Sequence, residues 1–430
     1  MPLPRKMLGL CAQLPVPARL IHAAPFPVCD SCHPSSFTPH KPCAFTATIG
    51  VKYYCCRSFD LLLDAAYHAP QETEVFKRPG KMKAITVEPK RPGTARLEEV
   101  EEPDVHEGSV LVQAVAVGVC GTDVEIAEGK YGWAPPGKQR LVLGHESLGR
   151  VLDPGPAAGL NEGDLVAGIV RRPDPVPCPN CAVGEWDMCR NGTYTERGIK
   201  QIDGFMSEHW RIEPEYAVKV DAALGLCGVL LEPTTIVTKA WEQVGSVGQR
   251  AYWEPRTVLV TGAGPIGLLA ALIGKQKGLE VHVLDRSESG VKPELARDLG
   301  ATYHYGKIAN IGFEPDVIIE CTGVGQVIAD CIQTIGAGGI VCLTGVGSGG
   351  KTGNVPTADV AAGVVLRNNV VVGSVNANKR HWYKATQVLA RAERSFLSRL
   401  ITRCESPDAF PRALQRTTED IKVVIQFSEA

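Results

Sequence analysis

Two textures of hydrophobic patterning divide the chain. Up to residue 81 no helical or strand period is sustained. Prolines (Pro2, Pro4, Pro15, Pro17, Pro25, Pro27) and cysteines (Cys11, Cys29, Cys32, Cys43, Cys55, Cys56) crowd this stretch instead. Such a segment has little with which to build a core, so residues 1–81 are expected to be a disordered leader. At Met82 the texture changes. Met82-Lys83-Ala84-Ile85-Thr86-Val87 and the apolar, β-branched run 110–117 read as strands, and short strands with Gly/Pro turns continue to about residue 230. From Thr257 the pattern switches again. Strands over 257–261, 280–284, 317–320 and 340–344 alternate with helical stretches over 266–277 and 292–299. That alternation predicts a parallel sheet with helices on both faces. A last strand, 423–427, is expected to rejoin the first domain. The longest apolar run, 257–274, is long enough to span a membrane. Its Gly-x-Gly-Pro interior favours a buried strand, a turn and a buried helix.

Composition narrows the function classes. A chain of 430 residues exceeds one core and predicts two domains with an appendage. The net charge of -2 gives no reason to expect nucleic acid or an anionic membrane as partner. Arg5-Lys6 followed by Met7-Leu8-Gly9-Leu10 is a faint secretory signal cut short by Pro15 and Pro17, so the expected location is cytoplasmic. Cys29-Asp30-Ser31-Cys32-His33 matches the haem-attachment string, but nothing else points to haem, and coincidence is the better reading. Of the 15 cysteines, Cys227, Cys321, Cys331 and Cys342 lie in apolar stretches as small hydrophobes, and no disulfide framework emerges.

Three groups of residues carry chemistry. Gly262-Ala263-Gly264-Pro265-Ile266-Gly267 is a G-x-G-x-x-G turn between a strand and a helix, with Asp285 ending the next strand. Backbone amides at such a turn hold a pyrophosphate. Asp285 is placed for the adenosine ribose and favours NAD, whereas Arg286 beside it would suit the phosphate of NADP; the reading is NAD over NADP. Cys120-Gly121-Thr122-Asp123 and Gly144-His145-Glu146 offer a thiolate, an imidazole and a carboxylate, a donor set for catalytic Zn²⁺ with one position open. Glu232, before Pro233, is an available fourth donor. Cys178, Cys181 and Cys189 supply three thiolates, one short of a closed structural zinc site, and Asp174 is the nearest spare ligand.

Together these residues resemble the zinc-containing medium-chain dehydrogenase superfamily, and within it the archaeal-type glucose 1-dehydrogenases. The resemblance runs from Met82 to about Phe427 and rests on Gly118-Val119-Cys120-Gly121-Thr122-Asp123, Gly144-His145-Glu146, Glu196-Arg197-Gly198-Ile199, Gly204-Phe205-Met206-Ser207-Glu208 and Gly373-Ser374-Val375-Asn376. It implies an α/β architecture: a GroES-like β-rich catalytic domain over 82–231, a doubly wound Rossmann domain over 232–374, and a return to the first domain over 375–430. Family members start at a residue like Met82, so the leader is foreign to the pattern. The resemblance also implies catalytic zinc at Cys120 and His145 with Glu146 and Glu232 coordinating or bridged by water, a proton relay beginning at Thr122, sugar contacts from Glu196, Glu232 and Asn376, and a homo-oligomer, dimer or tetramer. Ile236 and Val170 stand where some relatives carry a sugar-binding Asp and Asn, which leaves sugar preference open. The expected reaction is oxidation of an aldose, D-glucose, at C1 to the lactone with hydride transfer to NAD(P)⁺. The alternatives are a zinc-dependent polyol or 3-hydroxy amino acid dehydrogenase and, more remotely, a catalytically silent NAD-binding scaffold or a zinc-free reductase.

Overall fold

The structure, a computed structural model, describes residues 80–157, 159–347 and 357–429, together with two short paired strands, Phe45–Thr46 and Lys52–Tyr53. Apart from that pair, the expected leader and its C-x-x-C-H string lie outside the described residues.

From residue 80 onward two sheets organise the chain. Residues at the dinucleotide end form six parallel strands in the order Thr302–Tyr305, Glu280–Asp285, Thr257–Thr261, Val317–Glu320, Ile340–Leu343, Val370–Gly373. The order reverses beside Thr257–Thr261, which is the switch point where doubly wound sheets open a crevice for a ligand. Strand residues alternate between the two faces. Val258 and Val260 join the main core, while Leu259, Ile318 and Val341 build a second apolar cluster on the opposite face. Burial on both faces explains why these strands read as continuous apolar runs. The apolar run that could have passed for a membrane span resolves into the strand Thr257–Thr261 and the helix Pro265–Gln276.

A second, mainly antiparallel sheet carries Ala217–Lys219, Leu165–Gly168, Glu146–Asp153, Val110–Val119, Lys422–Gln426 and Ile401–Glu405, with His209–Ile212 added beside Val110–Val119. The C-terminal strand does return here, pairing Val423 with Val119 and Gln426 with Ala116.

The helix Leu231–Gly248, whose start the Pro233 after Glu232 suggests but whose length the sequence pattern does not show, is the element that matters most for the site. Pro233 fits its first turn, where a missing N–H does no harm. Its apolar and β-branched residues give it no continuous polar face, and most of it is buried. Trp241 donates its indole N–H to the Ala270 carbonyl on the helix Pro265–Gln276, at 3.1 Å. Glu242 reaches the helix Lys379–Ala390, pairing with Arg380 (2.7 Å), His381 (3.2 Å) and Lys384.

The Glu242 carboxyl is affected first by burial, which raises its pKa; Lys384, Arg380 and His381 outweigh this and bring it down to about 2. A depressed carboxylate stabilises the fold above its unfolded pKa, and that contribution is lost as pH falls through the folded value. Glu242→Gln is therefore expected to lower Tm at pH 7 by roughly 2–4 °C. Calorimetry from pH 7 down towards pH ~2 should show the gap between variant and wild type closing.

Candidate active site

Cys120 follows the strand Val110–Val119 and caps the helix Gly121–Ala127. Its backbone N–H donates to Asp123 Oδ2 at 2.8 Å, so the carboxylate three residues on fixes the turn. Asp123 is fully buried. Its other oxygen accepts from the Gly144 N–H at 3.3 Å and lies 3.4 Å from His145 Nδ1. One buried carboxylate thus holds both the cysteine turn and the histidine turn. Burial works against a charged His145, but Asp123 and Cys120 outweigh it and hold the imidazole well above its ordinary range. Glu146 opens the strand Glu146–Asp153. Ligand atoms of Cys120, His145 and Glu146 all lie within 4.8 Å of one another.

Lys422 completes this cluster and was not foreseen. Its ammonium lies 2.8 and 2.6 Å from the two Glu146 oxygens, and each of the two side chains is 2% exposed. Gly118 makes room for the carboxylate: a Cβ there would stand 2.1 Å from Glu146 Oε2. Both oxygens of Glu146 are therefore already engaged, unlike a carboxylate free for a metal. Glu232, in the first turn of Leu231–Gly248, is buried but stands outside the 4.8 Å group. Burial pushes its carboxyl up to about 7; His145 and Lys422 pull it down, and Glu146 and Asp123 push it up, so it shares the field of the same cluster. Thr122 Oγ1 lies 3.9 Å from the Cys120 sulfur.

The structure brings Glu196 and Asn376 together from 180 residues apart: Asn376 Nδ2 donates to Glu196 Oε1 at 2.7 Å. Arg171, also unforeseen, donates to the same oxygen from Nε and Nη2 at 3.0 Å. Two residues beyond Glu196, Gly198 packs so closely on Gly144 that a Cβ would meet the Gly144 carbonyl oxygen at 2.3 Å. This contact sets the Glu196 strand against the His145 turn. Val170 is buried and Ile236 half-buried.

In the glycine turn, Gly262 has φ +92°, Gly264 caps the helix that begins at Pro265 and Ile266, and a Cβ on Gly267 would lie 1.8 Å from the Gly262 carbonyl oxygen. A Cβ on Gly264 would meet nothing within 4 Å, leaving open space in front of the helix N-terminus. That is the cradle a pyrophosphate requires. Asp285 accepts from the Ala263 N–H (2.7 Å) and the Ser287 N–H (2.9 Å), which aims it at the turn; Arg286 is exposed.

The three-cysteine lobe departs from expectation in its fourth member. Cys178, Cys181 and Cys189 group within 4.8 Å. The backbone N–H groups of Arg190 and Cys181 lower the Cys178 thiol, while burial raises that of Cys181. The Asp174 carboxylate does not join them. Its Oδ1 accepts from the Val176 N–H and its Oδ2 from Asn191 Nδ2, at 2.9 and 2.7 Å. A local turn has taken the carboxylate that sequence proximity offered to the thiolates.

Comparison with known proteins agrees with this geometry. Residues 106–222 match the alcohol dehydrogenase GroES-like domain, and residues 225–427 match the glucose dehydrogenase C-terminus. Glucose 1-dehydrogenase of Methanocella arvoryzae is 38% identical over 356 residues, covering 80% of this chain and 99% of the relative. The chain belongs to the glucose dehydrogenase family of zinc-containing medium-chain dehydrogenases. Another glucose dehydrogenase relative, glucose 1-dehydrogenase 1 of Caldivirga maquilingensis, is 39% identical over 353 residues, covering 81% of this chain and 99% of its own length. Among solved glucose dehydrogenases, that of Haloferax mediterranei in complex with NADP, Zn and gluconolactone is 32% identical, covers 81% of this chain and 100% of its own, and has a TM-score of 0.74.

Removing one partner of a buried ion pair leaves the other charge without compensation, typically at a cost of about 3–5 kcal/mol. Lys422→Met is expected to destabilise the chain by about that much in denaturant unfolding. Adding Glu146→Gln to the same chain should recover part of the loss, because it removes the stranded charge.

Proposed function

We propose that this chain oxidises an aldose, D-glucose, at C1 to the lactone, with a nicotinamide coenzyme as hydride acceptor and zinc as resident metal. The observation that carries this reading is the Asn376–Glu196 pair. A carboxylate and an amide from segments 180 residues apart converge at 2.7 Å on the flank of the His145 turn. That is the kind of fixed polar partner a polyhydroxy substrate needs, since a simple alcohol has nothing for it to meet. The glucose 1-dehydrogenase relatives and the neighbour holding gluconolactone support the same choice over a polyol, a 3-hydroxy amino acid or a silent scaffold.

The residues present suit zinc. Ligand atoms of Cys120 and His145 lie within 4.8 Å of each other, and His145 Nδ1 faces Asp123 at 3.4 Å, which leaves the other ring nitrogen for a metal. In this reading Cys120 and His145 are the direct ligands, Glu232 is the exchangeable carboxylate, and Glu146, held by Lys422, contributes charge from behind. Zinc supplies Lewis-acid polarisation of the substrate hydroxyl, and the nicotinamide supplies the hydride acceptor. The protein does the rest. Asp123 keeps His145 in the orientation a ligand requires. Glu196 and Asn376 fix the sugar so that C1 faces the coenzyme. Thr122 Oγ1 accepts a hydrogen bond from the C1 hydroxyl and passes its own proton onward to solvent, so that the leaving proton travels along a relay that begins at this residue. The free backbone N–H groups of the turn at Gly264, Ile266 and Gly267 would hold the pyrophosphate of the coenzyme.

The test is kcat/KM for glucose, galactose, xylose, sorbitol, threonine and ethanol. Aldoses should lead, and Asn376→Ala should lose about 1–3 kcal/mol of transition-state binding on glucose but much less on ethanol. A clear preference for sorbitol, threonine or ethanol overturns the substrate assignment. NAD⁺ is expected to be the better coenzyme because Asp285 faces the turn that would carry the ribose and repels a 2′-phosphate. Asp285→Ser should narrow or reverse that preference, measured as the ratio of kcat/KM for NAD⁺ and NADP⁺; a wild-type enzyme faster with NADP⁺ would give the decision to Arg286.

A further inference from the structure

Behind Glu196 and Asn376 lies a second layer of charge that the reaction itself does not use. Lys239, on the helix Leu231–Gly248, and Asp187, two residues before Cys189 in the cysteine lobe, form an ion pair at 2.7 Å with side chains 2% and 0% exposed. Both residues have further partners, and those partners lead to the sugar contacts from two sides. Lys239 Nζ donates to the Val375 carbonyl at 2.9 Å, one residue before Asn376. Asp187 Oδ1 accepts from Asn378 Nδ2 at 3.0 Å, two residues after Asn376. The Asp187 backbone carbonyl accepts from Arg171 Nη1 at 3.2 Å, and the same guanidinium holds Glu196. Lys239, Val375, Asn376, Glu196, Arg171 and Asp187 therefore close a ring.

The clamp fixes a turn. Asn376 has φ +60°, a left-handed conformation that Asn adopts more readily than most residues but that still has to be held in one arrangement to aim its amide. The clamp acts on both sides of this residue. A buried ion pair is a poor source of stability, because desolvation offsets most of the attraction. What this pair supplies is geometry.

We propose that Lys239 and Asp187 are positioning residues for the sugar-binding pair: they hold Asn376 against Glu196 so that both meet the substrate in one fixed arrangement. The proposal rests on the reading of Glu196 and Asn376 as sugar contacts. Contacts to non-reacting hydroxyls hold in ground and transition state alike, so their loss raises KM more than it lowers kcat.

The experiment is steady-state kinetics on the zinc-loaded full chain with glucose and NAD⁺, for Lys239→Met, Lys239→Arg and Asp187→Asn, alone and combined with Asn376→Ala. Lys239→Met should raise the glucose KM roughly tenfold with a smaller change in kcat and an unchanged coenzyme KM. Lys239→Arg, which can still reach Asp187, should recover part of the loss. In the Asn376→Ala background, Lys239→Met should add less than about twofold, because residues acting through one contact are not additive. Asp187→Asn keeps the shape of the side chain and should show the same pattern, which covers the case in which Lys239→Met does not fold. An unchanged glucose KM in folded Lys239→Met and Asp187→Asn overturns the proposal, as does a full multiplicative effect on top of Asn376→Ala. If Asn376→Ala alone leaves the glucose KM unchanged, the sugar-contact reading falls first and takes this proposal with it; an Asn376→Ala effect without a Lys239 effect removes the positioning role alone.

Discussion

Lys422 and Glu146 face each other at 2.6 Å with almost no exposure to water, and the arrangement of the Cys120–His145–Glu146 cluster depends on this contact. A carboxylate buried beside a thiol and an imidazole would take up a proton or drive the strands apart if it had no counter-charge. The counter-charge comes from the far end of the chain, on a strand that pairs directly with the one leading into Cys120. The same solution recurs at Arg171 with Glu196 and at Lys239 with Asp187. In each case a cation is buried against a carboxylate and joins segments that are distant in sequence. None is a source of stability in itself, because desolvation absorbs most of the attraction. Each makes one geometry much better than its neighbours, since any shift leaves a charge uncompensated.

That also explains what could be read from the sequence. The glycine turn, the Cys120 turn and the His145 turn are local. Their spacing dictates their backbone, so residues a few positions apart announce the geometry. Asp123 belongs with them: its place three residues after a helix-capping Cys120 was a usable signal for its bond to the Cys120 N–H, though not for its approach to His145. Lys422, Arg171, Lys239 and Asp187 carry no local mark. A lysine in a strand or helix normally reads as a solvated charge, and only the fold reveals that it has been buried against a partner. Asp174 shows the converse error. It is close to the cysteines in sequence, but a turn with Val176 and the Asn191 amide already satisfies its carboxylate. The parallel sheet was legible because burial on both faces leaves continuous apolar runs. For the helix Leu231–Gly248 only the start was legible, at Pro233, and its length was hidden for the same reason, since an element buried on most sides shows no amphipathic period.

The glycine turn and the Cys120–Glu196 cluster are built from different materials. The glycine turn offers backbone amides and a helix end, and its side chains matter mainly by being absent, as the 1.8 Å clash of any Cβ on Gly267 shows. The cluster around Cys120, His145, Glu196 and Asn376 offers carboxylates, an amide, a thiol and an imidazole, held largely by further side chains. A backbone cradle depends on its glycines, whereas a side-chain constellation transmits every change in its supporting layer.

The helix Leu231–Gly248 ties the two together, and its register is the reason it can. Residues seven apart on a helix lie on nearly the same face, about 10 Å apart along the axis. Glu232 and Lys239 are seven apart. The first enters the field of Cys120, His145 and Glu146, and the second holds the segment that carries Asn376. Trp241 and Glu242 point to other neighbours, the helix Pro265–Gln276 through Ala270 and the helix Lys379–Ala390 through Arg380. A slip of one residue along this helix would turn Glu232 away from His145 and Glu146 and Lys239 away from Val375 at the same time. The Cys120–His145 cluster, the Asn376 segment and the glycine-turn helix are therefore kept in mutual register by one buried rod, whose buried threonines turn their hydroxyls back onto its own backbone and leave Glu232 and Lys239 to reach across.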